Sequence, residues 1–196
     1  MLGGIVDRFD TAVDARVQPL RGRPLVDAFA AVSSALGDRG LVWFLMAMAR
    51  RRRAGARRAR ALRAVAFTGV VTPAVNRALK QAVSRARPPR PAEPPLPVRI
   101  PRTASFPSGH ALAAWCAATL LAEDDVAAPL YYVMAAAVSY SRVHVRLHHA
   151  SDVAAGSALG VGLGLVGRRL LPAGGAVMRR LEGAGMPRPH RGLTTS

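Results

Sequence analysis

The residues of this chain whose types and spacing could do chemistry fall into three phrases. They are Lys80-(six residues)-Arg87-Pro88, then Pro107-Ser108-Gly109-His110, then Ser141-Arg142-(five residues)-His148-(three residues)-Asp152. Together they hold three cations, two imidazoles and a carboxylate that follows the second imidazole by four positions. That inventory suits the holding of a phosphate-like oxyanion while one imidazole attacks it and the other protonates what leaves.

Each phrase has a local reading. Arg87 precedes Pro88, which disfavours further helix, so Arg87 should stand where a helix or its extension ends. Ser108 is a natural N-cap for the apolar segment after it. A helix N-terminus with Gly109 also presents bare backbone N–H groups to an anion, with His110 close by. His148 and Asp152 share one helix face if the turn between them is helical, and the carboxylate could then fix the imidazole tautomer. Capping of the last helix by Asp152 is the alternative local reading. His144 could share the face of His148 as a supporting residue, and His149 should point elsewhere. Arg142 and Arg146 are both available as the third cation, and spacing does not choose between them.

The rest of the chain must bring these phrases together. Half of the 196 residues are hydrophobic, yet the formal charge is +17. A basic surface is a footprint of nucleic-acid binding, but a membrane protein with arginines at its helix ends has the same composition. Placement favours the membrane. Seven arginines crowd Arg50–Arg60, between apolar stretches, and Arg168, Arg169, Arg179 and Arg180 follow the last one. No zinc spacing, leucine heptad or aromatic strand pair supports nucleic-acid binding. The single Cys116 lies in an apolar run and should be a packing residue. Met1–Gln18 lacks the apolar core of a signal peptide.

Apolar stretches occupy Gly40–Ala49, Ala61–Leu79, Ala111–Ala122, Val126–Tyr140 and Val153–Gly167, with an amphipathic one at Pro24–Leu36. None is an unbroken run of the ~18 residues that usually marks a spanning helix, although arginines can snorkel from helix ends. These segments predict an all-α, integral-membrane six-helix bundle whose first helix either crosses the bilayer or lies in its interface. Arginine counting puts the Arg50–Arg60 loop and the tail after Arg168 in the cytoplasm. Tracing from there, all three phrases meet at the extracytoplasmic end of the bundle. One membrane domain over residues 1–171, with its motif core at 80–152, would precede a disordered cytoplasmic tail at 172–196. Pro88–Pro101 holds seven prolines and should be an extended surface loop. Gly156, Gly160 and Gly164 recur every four residues and should let two helices approach closely.

The three phrases in combination resemble the motifs of the type 2 phosphatidic acid phosphatase superfamily, which also includes glucose-6-phosphatases and vanadium haloperoxidases. The resemblance covers residues 80–152 with no motif position missing. It implies that Lys80, Arg87, Ser108, Gly109 and Arg142 bind phosphate, so that Arg142 and not Arg146 is the third cation. It implies that His148 is the nucleophile, His110 the general acid and Asp152 the residue that orients His148. It further implies a metal-independent, cofactor-independent lipid phosphatase of the cell membrane, working through a phosphohistidine. Its partners would be the bilayer and a lipid phosphate or diphosphate, with no nucleic acid. By chain size the expected substrate is a polyprenyl diphosphate such as undecaprenyl diphosphate, with phosphatidate or phosphatidylglycerophosphate as the alternative. A vanadium haloperoxidase and a non-catalytic basic membrane protein are the remote readings.

Overall fold

The computed structural model describes residues 2–37, 42, 43, 45, 46, 56–89, 103–123 and 125–172, and these contain helices and no strand. Helix α1 (Leu2–Val17) and a short 3₁₀ turn (Gln18–Leu20) lead into α2 (Pro24–Gly37). Helix α3 (Ala56–Ala66) passes through a π-turn (Phe67–Val71) into α4 (Thr72–Ala82). Helices α5 (Gly109–Leu121), α6 (Ala128–His144) and α7 (Ala150–Leu170) complete the bundle. Of the expected stretch Gly40–Ala49, only Val42, Trp43, Leu45 and Met46 are described; all are helical and Trp43 is buried. Most of the proline-rich connection and nearly all of the expected tail lie outside the described residues.

For the stretches that are fully described, the sequence boundaries hold to within a few residues except at two places. Helix α1 was not expected, because Met1–Gln18 has no apolar core; it forms instead as an amphipathic helix. The Ala61–Leu79 stretch extends at both ends into the continuous α3–α4 run. Its π-turn has a local cause: Pro73 has no N–H to donate, and its ring would strike the carbonyl of Gly69 in a regular helix. Thr68 and Thr72 hydroxyls donate back to Ala64 O (2.6 Å) and Thr68 O (3.1 Å) around the irregularity.

Helix α5 is the axis of the bundle, and nine of its residues are buried. It lies closest to α7 along the glycine stripe. A Cβ on Gly156 would sit 2.6 Å from Ser108 O, and one on Gly164 would sit 2.6 Å from Thr119 Cβ. At Gly160 it would collide with Leu112 O and reach Cys116 N at 3.0 Å. Gly162, on the opposite face, meets nothing within 4 Å. Gly160→Ala should therefore cost about 1–3 kcal/mol, as overpacking against backbone does. Gly162→Ala should be neutral or slightly stabilising, since alanine is the better helix former. Thermal unfolding of the two variants in one detergent checks the contrast.

Large apolar side chains point outward. Leu25, Phe29, Val32 and Leu36 make one exposed stripe along α2, and Leu159, Leu165, Val166 and Leu170 lie exposed on α7. The interior is built largely from alanine and glycine, with fewer large residues such as Leu112, Leu120 and Phe67. Small residues inside and large apolar ones outside is the pattern of helices that pack in lipid; in water such patches mark interaction surfaces. Among the described helices, α7 alone is both long and apolar enough to cross a membrane by length and composition.

Helix α2 runs antiparallel to α6. Asp27 pairs with His144 (2.7 Å), Phe29 meets Tyr140 with ring centroids 6.4 Å apart, and Ser34 accepts a hydrogen bond from Arg142. At the end of α5 remote from His110, arginines cap orphan carbonyls. Arg63 donates to Leu171 O (3.0 Å) and Leu120 O (3.3 Å), Arg168 donates to Thr119 O, and Glu123 accepts from Arg63. Cations at helix C-termini are favoured by the helix dipole as well as by the unpaired carbonyls.

Candidate active site

The site is assembled at the other end, where four chain segments converge. Past α4 the chain is extended, and Ser105 N donates to Arg85 O (2.8 Å), joining it to the segment that leads into α5. Lys80 Nζ donates to Ala104 O and lies 3.5 Å from Ser105 O. Arg87 donates to Thr103 O (3.2 Å), Ala104 O (3.4 Å) and Leu147 O (2.5 Å). Both cations thus lie over one short backbone segment, Thr103–Ser105, and Arg87 bridges from it to the turn that carries His148.

That turn is a helix stop. Arg146 takes a left-handed φ of 53°, Arg146 N donates to Val143 O (3.1 Å), and Leu147 N donates to Arg142 O (3.0 Å). This pair of bonds is a Schellman closure, with a non-glycine residue in the position that glycine usually fills. His148 N also reaches Arg142 O (3.2 Å), so the closure sets the backbone of His148 directly. The side chain of Arg146 turns away to Asp14 of α1 (3.3 Å) and Gln18 of the 3₁₀ turn (2.7 Å), whereas Arg142 is buried and donates to Ser34.

His148 is buried, with Nε2 3.4 Å from Arg87 Nη1 and Nδ1 3.8 Å from Asp152 Oδ2. A guanidinium can only donate, so the Nε2 facing it carries the lone pair and the ring proton sits on Nδ1, toward Asp152. The i,i+4 relation is not made on a helix face as expected. His149 is the N-cap of α7, so His148 precedes the helix, and Asp152 reaches back across the cap. Asp152 Oδ2 accepts from His149 N (2.9 Å) and Ser105 Oγ (2.5 Å), and Oδ1 accepts from Arg85 (2.7 Å). Capping and contact with His148 are therefore done by the same carboxylate.

The second phrase closes the site. Ser108 is the N-cap of α5, its hydroxyl 3.5 Å from Ala111 N, and its own N–H donates to Asp152 O (3.0 Å). Gly109 lies against Asn76, one turn before Lys80; a Cβ there would meet Asn76 Nδ2 at 2.8 Å. His110 borders α2, where a Cβ on Gly37 would lie 3.4 Å from its Cδ2. His110 and Arg142 thus share a wall, three residues apart on α2 at Gly37 and Ser34. His144 is committed to Asp27 through Nε2 and to Tyr140 through Nδ1 (3.0 Å), which makes it a packing residue of the α2–α6 contact. Three residues that the sequence reading did not single out also touch the site: Arg85, Ser105 and Asp10. Arg85 lies between Lys80 and Arg87 in a non-helical segment, so no periodicity marked it. Asp10 is about 140 positions away from the residue that it caps.

A cleft of about 600 Å³ opens beside His148, between α1 and the α6–α7 turn. Its wall includes Asp7, Asp10, Asp14, Gln18, Arg85 and Arg146.

Burial lowers the pKa of Lys80 to about 8; the neighbouring Arg87 cation adds to the effect and Asp152 partly offsets it. Burial also holds His148 below its ordinary 6.5, opposed by Asp152 and reinforced by Arg87 and Lys80. Asp152 is buried too, which favours its neutral form, but its donors outweigh burial and keep it well below the usual carboxylate range. If neutral His148 attacks and cationic Lys80 holds phosphate, kcat/KM should rise through a limb below pH 6.5 set by His148, and loss of the Lys80 charge should contribute a fall near pH 8. Lys80→Arg should move the alkaline limb upward, because arginine keeps its charge there. A pH profile of both proteins checks the assignment.

A helical bundle with imidazole, carboxylate and cations gathered at one end is an arrangement suited to an enzyme that handles a phosphate group. The profile of the PAP2 superfamily matches residues 59–174, and the chain belongs to this superfamily. Among curated proteins it is similar to decaprenylphosphoryl-5-phosphoribose phosphatase of Mycobacterium tuberculosis, with 34% identity over 81% of this chain and 89% of that one. Among solved structures it resembles the PAP2 type phosphatidylglycerolphosphate phosphatase of Bacillus subtilis (TM-score 0.66, 21% identity, 85% and 86% of the two chains). It also resembles LpxE of Aquifex aeolicus (TM-score 0.67, 20% identity, 81% and 94%).

Proposed function

We propose that this lipid phosphatase spans the membrane several times and cleaves a phosphomonoester borne by a polyprenyl lipid at its extracytoplasmic face. His148 Nε2 attacks phosphorus, the P–O ester bond breaks, and His110 gives its proton to the departing alcohol oxygen. Water then attacks the phosphohistidine, with His110 as base, releasing inorganic phosphate and restoring His148. Lys80, Arg87, Arg142, the Ser108 hydroxyl and the Gly109 amide hold the equatorial oxygens, where charge spreads in the transition state. The observation that carries this reading is the polarity of His148. Its lone pair faces a cation that can hold phosphate, and its N–H faces a carboxylate already held by three other groups.

The mycobacterial relative is named for a phosphoribose carried by decaprenyl phosphate. It keeps the polyprenyl carrier that the sequence suggests and replaces the diphosphate by a phosphorylated sugar. The cleft beside His148 supports the sugar: it is lined by Asp7, Asp10, Asp14 and Gln18 together with Arg85 and Arg146, a mixed set of acceptors and donors that suits hydroxyls. A polyprenyl diphosphate, the substrate expected from chain size, is the second reading. Purified protein in detergent with EDTA would be offered a polyprenyl-linked phosphosugar, a polyprenyl diphosphate, phosphatidate and phosphatidylglycerophosphate. Fastest phosphate release from the phosphosugar is the expected result. A preference for the diphosphate overturns the choice of substrate, and release from none overturns the catalytic reading.

A further inference from the structure

We propose that Arg85 is a positioning residue for the nucleophile, and that Asp10 of α1 anchors it, making α1 part of the site's support. The inference rests on the reading of His148 as nucleophile.

The guanidinium of Arg85 is a fork with both tines used. Nη1 donates to Asp152 Oδ1 and to Ser151 Oγ, each at 2.7 Å, and Nη2 donates to Asp10 Oδ2 at 2.7 Å. Asp10 in turn accepts from Ser151 N (2.7 Å) and Ser151 Oγ (2.8 Å), so a side chain of α1 caps the first turn of α7. Asp10 and Asp152 are both buried, and Arg85 stands between them as their common counter-charge. Two anions this close to one cation are mutually dependent: removing the cation leaves two buried carboxylates facing each other, the costly arrangement for ionised groups.

The consequence for His148 follows from which oxygens are occupied. Arg85 takes Oδ1 of Asp152, while Ser105 and His149 N take Oδ2, the oxygen that faces His148 Nδ1 at 3.8 Å. Without Arg85, Asp152 keeps both donors to Oδ2 but loses the one that fixes the rotation of its carboxyl plane. Its negative charge also loses its nearest compensation. The charged groups around His148 are Asp152 from α7, Lys80 from α4, Arg87 and Arg85 from the segment after α4, and, along the shared cleft, Asp7, Asp10 and Asp14 of α1 and Arg146. Removing one cation from that set makes the imidazolium easier to form, so the acid limb of the pH profile should move to higher pH. Loss of bulk stability alone would not move it.

The test uses full-length protein in detergent. Arg85→Ala should lower kcat by about 10–100-fold, the usual cost of losing a partner that orients a reacting group, with KM changing less. Asp10→Ala should shift kcat in the same direction, and the double variant should be no worse than Arg85→Ala, since both act through one contact. Arg85→Lys, which can hold one carboxylate but not both, should recover part of the loss and guards against a variant that does not fold. Nitrogen-15 NMR of the histidine rings reads the same effect without turnover: His148 should titrate at higher pH in Arg85→Ala than in the parent. Unchanged kcat and unchanged His148 titration in a folded Arg85→Ala variant overturn the proposal, as do additive losses in the double variant. Absence of phosphate release by the parent would overturn the catalytic reading instead, and the NMR titration would still decide the role of Arg85.

Discussion

On the proposed mechanism, His148→Ala should abolish phosphate release, with a loss of at least about 10³-fold, because removing the proposed nucleophile removes the reaction path and not merely a contact. The protein should remain folded. The imidazole makes only long contacts, 3.4 Å to Arg87 and 3.8 Å to Asp152, and its Nδ1 has no hydrogen-bond partner among the described residues. Truncation therefore orphans little. Asp152 keeps Ser105, His149 N and Arg85, and Arg87 keeps the carbonyls of Leu147, Thr103 and Ala104. Two measurements separate the roles: elution and thermal midpoint in detergent should match the parent, while labelling from a phosphorus-32 substrate should appear on the parent alone. Turnover by a folded His148→Ala protein would end the phosphohistidine reading.

The second large effect belongs to His110, and it should depend on the leaving group. A phosphomonoester expels an alkoxide, which needs a proton as the bond breaks. A diphosphate expels a phosphate, which can carry its own charge. General acid catalysis is worth about 10²–10⁴-fold where the leaving group is poor. His110→Ala should lose about that much against a lipid phosphomonoester and clearly less against a polyprenyl diphosphate. The fold should tolerate the change, since the cap of α5 is made by Ser108 and not by the histidine. Equal losses on the two substrates would remove His110 from the acid role. The variant thus tests a residue role and a substrate class in one comparison.

Much of this architecture was legible in the chain. Four stretches, Pro24–Leu36, Ala111–Ala122, Val126–Tyr140 and Val153–Gly167, gave helices to within a few residues, because a helix in a bundle is announced by the length and apolarity of its own segment. The glycine stripe Gly156–Gly160–Gly164 was readable for a similar reason: only a repeated absence of side chains allows the approach now seen against Ser108 O, Leu112 and Thr119. Ser108 as N-cap followed from its chemistry and place. Helix α1 was not readable as part of the site. Its residues are amphipathic and mixed in charge, and what fixes them is a partner about 140 positions away.

The candidate site divides in the same way. Residue type and short-range order offered Lys80, Arg87, Ser108, Gly109, His110, His148 and Asp152 as candidates, since the chemistry of phosphate handling restricts which side chains can serve; Arg142 in place of Arg146 came only with the family resemblance. The tautomer of His148, the turning of Arg146 toward Asp14 and Gln18, and the use of His144 to hold Asp27 were left open. So were the roles of Arg85, Ser105 and Asp10, which carry no spacing signal because they lie in extended segments or on a distant helix. Side-chain identity is a local property, written once at each position. What each of Arg85, Arg87, Arg142 and Arg146 meets, and what holds the carboxylate of Asp152, depends on several segments folding onto one end of α5. That is decided in three dimensions.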